Sequence, residues 1–267
     1  MTTYNSISAS AAAMNAILET GSAAQLSDRG QGQIILLLHG GGGVATVAGL
    51  SGMLSDHARV LMPTHPGFDG TPRPDYLNSV SSLAQLYLEL LADLGLNDVV
   101  VIGSSLGGWV AAEMAAASAH LIKGVVLLNP VGIEVQGESV RDVSKLPRPE
   151  LIRLANHNPE VILKNMPPMT PERLTILAAN GQALNAYDNG AQMMSVGLRE
   201  RLANVTAPAL VLWGESDGIA PVNYGRGFAQ AFGNGEFQLI QEAGHLPQLE
   251  QPASVLAHIE RYLTKLI

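Results

Sequence analysis

Short, almost unbroken aliphatic runs recur along the first half of the chain: Gln33–Leu38, Ala58–Met62, Asp98–Ile102 and Gly124–Leu128. A strand wet on one face alternates apolar with polar residues. These runs do not alternate, so both of their faces need cover, as in a parallel sheet. Between them the period changes. Leu83, Leu86, Leu90 and Leu94 recur at helical spacing in a helix expected over about Asn78–Leu94, with Gly95 as its stop. An alanine-rich helix is expected over Trp109–Ala119. Strands alternating with helices over short connections specify a parallel α/β sheet with right-handed crossovers.

The alternation stops after Asn129-Pro130. Residues from about 133 to 205 read as short helical pieces punctuated by Pro147, Pro149, Pro159, Pro167, Pro168 and Pro171, with no buried strand. Ala209–Gly214 and Glu236–Ile240 resume the strands. A last helix, about Ala253–Leu266, starts at Pro252 and carries Val255, Ile259, Leu263 and Leu266 on one face. The expected organisation is a core domain, residues 1–132 and 206–267, with a helical cap or lid, residues 133–205, inserted between two sheet strands. Residues 1–12 are expected to form a flexible or helical arm, and Ala16–Glu19 and Ala24–Leu26 are short strand candidates.

Composition narrows the function classes. The 267 residues are 47% hydrophobic and 14% charged, enough apolar material for a sizeable core. The net charge of −8 leaves no dense basic face, so nucleic acid is not an expected partner. No cysteine is present, which excludes disulfides, thiolate metal sites, iron–sulfur clusters and a cysteine nucleophile. The longest aliphatic run, Ile34–Leu38, is far too short to span a bilayer. The first residues lack the basic start and apolar run of a signal peptide, so a cytoplasmic location is expected. A monomer or a homodimer would both fit.

The chemistry centres on Gly103-Ser104-Ser105-Leu106-Gly107, at the junction of an expected strand and an expected helix. A sharp turn there lifts the central side chain off the sheet, and its glycines remove side chains that would clash. The following helix N-terminus favours a developing anion. As mere packing glycines the segment would carry no chemistry; its junction favours Ser105 as a nucleophile. A serine hydroxyl then needs a base, and the base an orienting acid. Asp217 follows the strand ending at Gly214, and His245 follows the next strand in Ala243-Gly244-His245-Leu246-Pro247. All three fall in loops after strands, at the sheet edge where open α/β sheets bind ligands.

Rivals to these residues are weaker. Glu215 lies too close to the strand end and reads as structural. Asn129 stands where an acid sometimes sits, but it is an amide. His39 heads the glycine loop Gly40–Gly43 and is expected to hold it by hydrogen bonds. His120 and His258 fall on or beside helices. The N–H of Leu106, with that of Gly41 and then Gly42, is the expected oxyanion hole. The glycine loop lacks the lysine of a P-loop and the spacing of a dinucleotide site. No cofactor and no metal is required.

With these segments assembled, the sequence resembles the α/β-hydrolase fold superfamily. Within it, the nearest likeness is the lidded branch of esterases, C–C bond hydrolases, lactonases and cofactor-free haloperoxidase-like enzymes. The matching pieces are LLLHGGGG (36–43), HPGFDG (65–70), GSSLGG (103–108), LWGESDGIAP (212–221) and EAGHLPQLEQP (242–252). The resemblance implies a mostly parallel α/β-hydrolase sheet flanked by helices, and a cap that covers Ser105 and sets specificity. Two positions depart from the family pattern. His65 stands where relatives often have an acidic residue, and Asp69 where glycine is common. That loop is expected to shape the pocket entrance.

The cap's candidate lining is apolar: Leu163, Met166, Met169, Leu177, Leu184, Tyr187, Met193 and Met194, with Trp109 and Leu246 from the core. Methionines adapt to irregular shapes and suit a permissive acyl pocket. The alternative is that these residues pack the cap onto the sheet, and a share of them is expected to do so. Arginines and lysines in the cap are scattered, so no strongly anionic substrate is marked. A small to medium, largely apolar carboxylic ester is the expected substrate, cleaved through an acyl-enzyme. A C–C bond hydrolase, a lactonase or a perhydrolase would use the same three residues. A serine at position 105 sets aside epoxide hydrolases and dehalogenases, which need a carboxylate nucleophile. A non-catalytic ligand-binding protein on this fold would keep a pocket and lose or disable the triad.

Overall fold

Residues 26–118, 120–165 and 168–266 are described by a computed structural model. The arm at 1–12, the strand candidate Ala16–Glu19, all but the last residue of the candidate Ala24–Leu26, and Met166 lie outside the described residues.

Among the described residues seven strands make one sheet: β1 (Leu26–Arg29), β2 (Ile34–Leu38), β3 (Arg59–Pro63), β4 (Val99–Ser104), β5 (Ile122–Leu128), β6 (Ala209–Gly214) and β7 (Gly235–Ile240). Their order is β1-β3-β2-β4-β5-β6-β7, parallel throughout except for β1 against β3. Alternate residues of a strand point to opposite faces, and the two faces build two cores. Leu36, Leu38, Val99, Val101, Val125 and Leu127 pack against α2 (Val80–Asp93) and α3 (Leu106–Ala117). Ile35, Leu37, Val100, Ile102 and Leu210 pack against α1 (Ala48–Ser55) and the C-terminal helix Pro252–Lys265. That double cover is why these strands are apolar at almost every position.

The strand order places the site. The chain runs from β2 outward to β3, then crosses back over β2 to β4. The loops after β2 and β4 therefore part at the sheet's carboxyl edge, and a crevice opens between them. The register Leu38↔Gly103, Ser104↔Leu128, Leu128↔Leu212 and Gly214↔Ile240 brings the ends of β2, β4, β5, β6 and β7 to one level.

The insertion between β5 and β6 holds α4 (Arg148–Ala155), α5 (Pro159–Asn165), α6 (Pro171–Asp188) and α7 (Leu198–Leu202). Among its described residues no strand forms; Gly132 and Met194 make an isolated bridge. Its end is fastened to the core. Arg201 donates to both carboxylate oxygens of Glu113 on α3, at 2.8 and 3.1 Å, and Trp109 Nε1 donates to Ser195 Oγ. α6 is different: Asn180, Ala183 and Tyr187 are its buried residues, and Leu174, Ile176 and Leu177 are exposed.

Four elements depart from the sequence expectation. β1 has the sequence LSDR, a short edge strand with little apolar signal. α1 and α8 (Val222–Ala231) each carry two glycines, which are poor helix formers. The alanine-rich helix begins at Leu106 rather than Trp109, because the elbow before it is a single residue long. Among the described residues no helix is long and apolar enough to cross a membrane.

Candidate active site

Ser105 sits between β4 and α3 with φ 53° and ψ −115°. A side chain in this left-handed conformation is strained, and such turns expose the residue they hold. The flanking glycines are obligatory. A Cβ on Gly103 would lie 2.1 Å from the Gly107 carbonyl oxygen, and one on Gly107 would lie 2.3 Å from that of Leu38. Behind the elbow, Gln248 Nε2 donates to Ser104 Oγ and to the Thr46 carbonyl, each at 3.1 Å.

His245 reaches Ser105 from the loop after β7: its Nε2 is 2.9 Å from Ser105 Oγ. Its Nδ1 is 2.8 Å from Asp217 Oδ2. A carboxylate only accepts, so Nδ1 carries the proton and Nε2 is free to receive the serine's. Asp217 is saturated with donors. Asn129 Nδ2 shares Oδ2 at 2.7 Å, and the N–H groups of Ile219 and Ala220 reach Oδ1 at 2.8 and 3.1 Å. Burial pushes the carboxyl up, but nearby His245 and these hydrogen bonds outweigh it, and Asp217 lies below the ordinary carboxylate range.

The loops bearing the acid and the base hang on the end of α4. The His245 N–H donates to the Ala155 carbonyl at 2.8 Å, and the Gly218 N–H to that of Leu154 at 2.9 Å. Carbonyls that a helix end leaves unpaired thus fix both loops. Glu250 adds a second tie, accepting the N–H groups of Gly244, His157 and Asn158.

The glycine loop lies against the elbow: a Cβ built on Gly40 would be 3.1 Å from Ser105 Cβ. A turn closed by the Gly43 N–H on the Gly40 carbonyl leaves the amides of Gly41 and Gly42 in its middle. Leu106 occupies the first helical position, whose N–H has no intrahelical acceptor. Beneath the loop His39 and His65 are fully buried, with ring centroids 3.8 Å apart. His39 Nδ1 donates to the Gly40 carbonyl, and its Nε2 accepts the His65 N–H. His65 Nε2 donates to the His39 carbonyl, and its Nδ1 accepts from the Tyr87 hydroxyl. The pattern closes only with both rings neutral. Burial lowers His39 to about 4, against the upward pull of the Gly40 carbonyl and Asp69. Burial and the adjacent His39 hold His65 well below its usual value.

A strained serine at a strand–helix elbow, a histidine on its hydroxyl and a buried carboxylate behind it can transfer a proton and form a covalent intermediate. A family model described as the alpha/beta hydrolase family matches residues 35–258. The chain belongs to the alpha/beta hydrolase family. An uncharacterized protein of Mycobacterium tuberculosis is 26% identical over 266 residues, covering 88% of this chain and 76% of the relative. A 2-hydroxy-6-oxo-6-phenylhexa-2,4-dienoate hydrolase of Burkholderia cepacia is 23% identical over 246 residues, covering 84% and 85%. Among solved structures, a thermophilic esterase from Thermogutta terrifontis superposes with a TM-score of 0.73 at 26% identity, covering 91% of this chain and 93% of that one.

The remaining expected site residues of this hydrolase lie in several settings. Tyr187 is buried, its hydroxyl donating to the Pro66 carbonyl and its ring stacked on Phe68. Trp109 is buried beside Gly132. Met169, Met193 and Leu246 are half-buried. Leu184 stands over the glycine loop, 3.1 Å from a Cβ built on Gly41. Glu215 is exposed. Asn129, Gln248, Glu250 and the Tyr87–His65 contact were not anticipated as site residues. Most of their partners lie more than 80 residues away in sequence, and Asn129 at a buried strand end is the one available hint.

Proposed function

We propose that this alpha/beta hydrolase is a serine hydrolase that cleaves small to medium, largely apolar carboxylic esters through an acyl-enzyme. The carrying observation is the unbroken hydrogen-bonded chain from Asp217 through His245 to Ser105. Ser105 Oγ attacks the ester carbonyl while His245 Nε2 takes its proton. The N–H groups of Leu106 and Gly41, with Gly42 next, hold the oxyanion. His245 then protonates the leaving alcohol, and a water deprotonated by His245 releases the acid. Asp217 keeps the imidazole in its tautomer and stabilises the cation that forms. Residues 133–205 act as the cap over this site, and the apolar Leu184 above Gly41 supports an apolar acyl group there.

A second reading, cleavage of a C–C bond in a dienoate, is supported by the likeness to the Burkholderia cepacia enzyme. One experiment separates the two. The protein is treated with a fluorophosphonate, digested and mapped, and its turnover of p-nitrophenyl butyrate and of a 2-hydroxy-6-oxohexa-2,4-dienoate is compared. Labelling at Ser105 with loss of ester turnover is expected. Labelling with turnover of the dienoate alone moves the substrate to the second reading. Absence of labelling removes the nucleophile assignment.

A further inference from the structure

Asp69 adopts a left-handed backbone, φ 52°. Glycine does so freely, whereas an aspartate does so less often and typically with its side chain hydrogen-bonded, and here contacts hold it. Those contacts reach in two directions. Oδ2 accepts the N–H of Val44, just beyond the glycine loop, at 2.8 Å. Oδ1 accepts Asn180 Nδ2 at 3.0 Å, and the Asp69 N–H donates to Asn180 Oδ1 at 2.7 Å. The glycine loop is moulded to this carboxylate: Gly43 has φ 82°, and a Cβ there would lie 2.4 Å from Asp69 Oδ1.

Asn180 is 2% exposed, on a helix whose other buried residues are Ala183 and Tyr187. With Tyr187, whose hydroxyl holds the Pro66 carbonyl, it is a polar member of the narrow stripe by which α6 docks on the loop at 65–70. A buried amide and carboxylate are stable only while each has its partner. Separating α6 from the loop would break both bonds of the pair together and free the carboxylate that fixes Val44.

We propose that Asp69 and Asn180 are positioning residues that couple the docking of α6 to the shape of the glycine loop. With α6 docked, the pair fixes Gly43 and Val44, and through them the Gly41 and Gly42 amides that face the developing oxyanion. With α6 lifted, the loop loses that support, so the hole is complete only over a covered substrate. The inference rests on the serine-hydrolase reading of Ser105.

The test is a reciprocal exchange. In Asp69→Asn an NH2 group must face either the Val44 N–H or Asn180 Nδ2. In Asn180→Asp two carboxylates face each other. In the double variant Asp69→Asn/Asn180→Asp, all three hydrogen bonds can re-form with one donor and acceptor reversed. Each single variant is expected to lower kcat for p-nitrophenyl butyrate at least about tenfold with KM within about threefold, a partial loss of oxyanion support. The Val44 amide should exchange faster with solvent in both. The double variant should return kcat and exchange to within about threefold of wild type. A pair that merely packs the helix would raise KM and leave kcat intact. Single variants with wild-type kcat, or a double variant that fails to recover, overturn the coupling. If wild type turns over no ester, the reading of Ser105 fails, and Val44 exchange still decides: unchanged exchange in the single variants overturns the coupling as well.

Discussion

The carboxyl edge of the sheet and the helices inserted between β5 and β6 are held in opposite ways. At the edge, Asp217 receives four hydrogen bonds, His39 and His65 each have both ring nitrogens placed, and Gly103 and Gly107 admit no side chain. Across the insertion, α7 is bolted to α3 by Arg201 and Glu113, but α6 rests on a single stripe with most of its surface in water. The contrast teaches a division of labour. A covalent mechanism needs reacting groups held to a fraction of an ångström, and parallel strands packed on both faces supply that. If residues 133–205 act as the proposed cover, admitting and releasing a substrate calls for few contacts, so that docking and undocking stay close in free energy.

The largest expected effect lies at the rigid edge. Asp217→Asn keeps the shape but loses the acceptor that fixes the His245 tautomer. Its kcat for p-nitrophenyl acetate should fall about 10³- to 10⁴-fold with the fold intact by circular dichroism. A fall below about tenfold would deny that edge its role. Next comes Asn129→Ala, which removes a donor from Asp217 and strips the Gly214 N–H of its acceptor. It should cost about 1–3 kcal/mol in urea unfolding, together with about a tenfold loss in kcat. Stability at the wild-type level would show that the bond is dispensable.

Acid should weaken the fold through groups buried at the edge. Folded His39 and His65 refuse protons that their unfolded counterparts take up near pH 6.5. Between pH 6.5 and about 4 the unfolded state therefore binds more protons, and stability falls as pH falls through that window. Urea unfolding at pH 7, 5.5 and 4.5 measures this; a flat profile would contradict the buried neutral pair. The smallest effect belongs to Leu184, the apolar residue of α6 that stands over the glycine loop. Leu184→Ala should change KM across p-nitrophenyl acyl chain lengths by only a few-fold, with kcat for the acetate within about twofold. A collapse of kcat instead would erase the contrast between the two regions.

The same contrast governs what the sequence discloses. β2, β4, β5 and β6 are legible because burial on both faces leaves an apolar residue at almost every position. The elbow is legible because its geometry demands two glycines around one serine, a local requirement. Contacts between distant residues are not legible in this way. Asp69 stands out as an odd residue in its loop, but its partner Asn180 is 111 residues away. Gln248 reaches Ser104 across 144 residues. α6 carries Leu174, Ile176 and Leu177 in water, so its apolar residues do not trace its docking face. Among the described residues β1 pairs with β3 alone, and its polar residues hide it.

The central claim is that Ser105 forms a covalent intermediate with an ester. The most direct measurement is hydrolysis of p-nitrophenyl esters, from acetate to decanoate, by wild type and by Ser105→Ala. Turnover by wild type and a loss of at least about a thousandfold in the variant are predicted. Wild-type protein inert towards every ester, or a variant as active as wild type, would contradict the account.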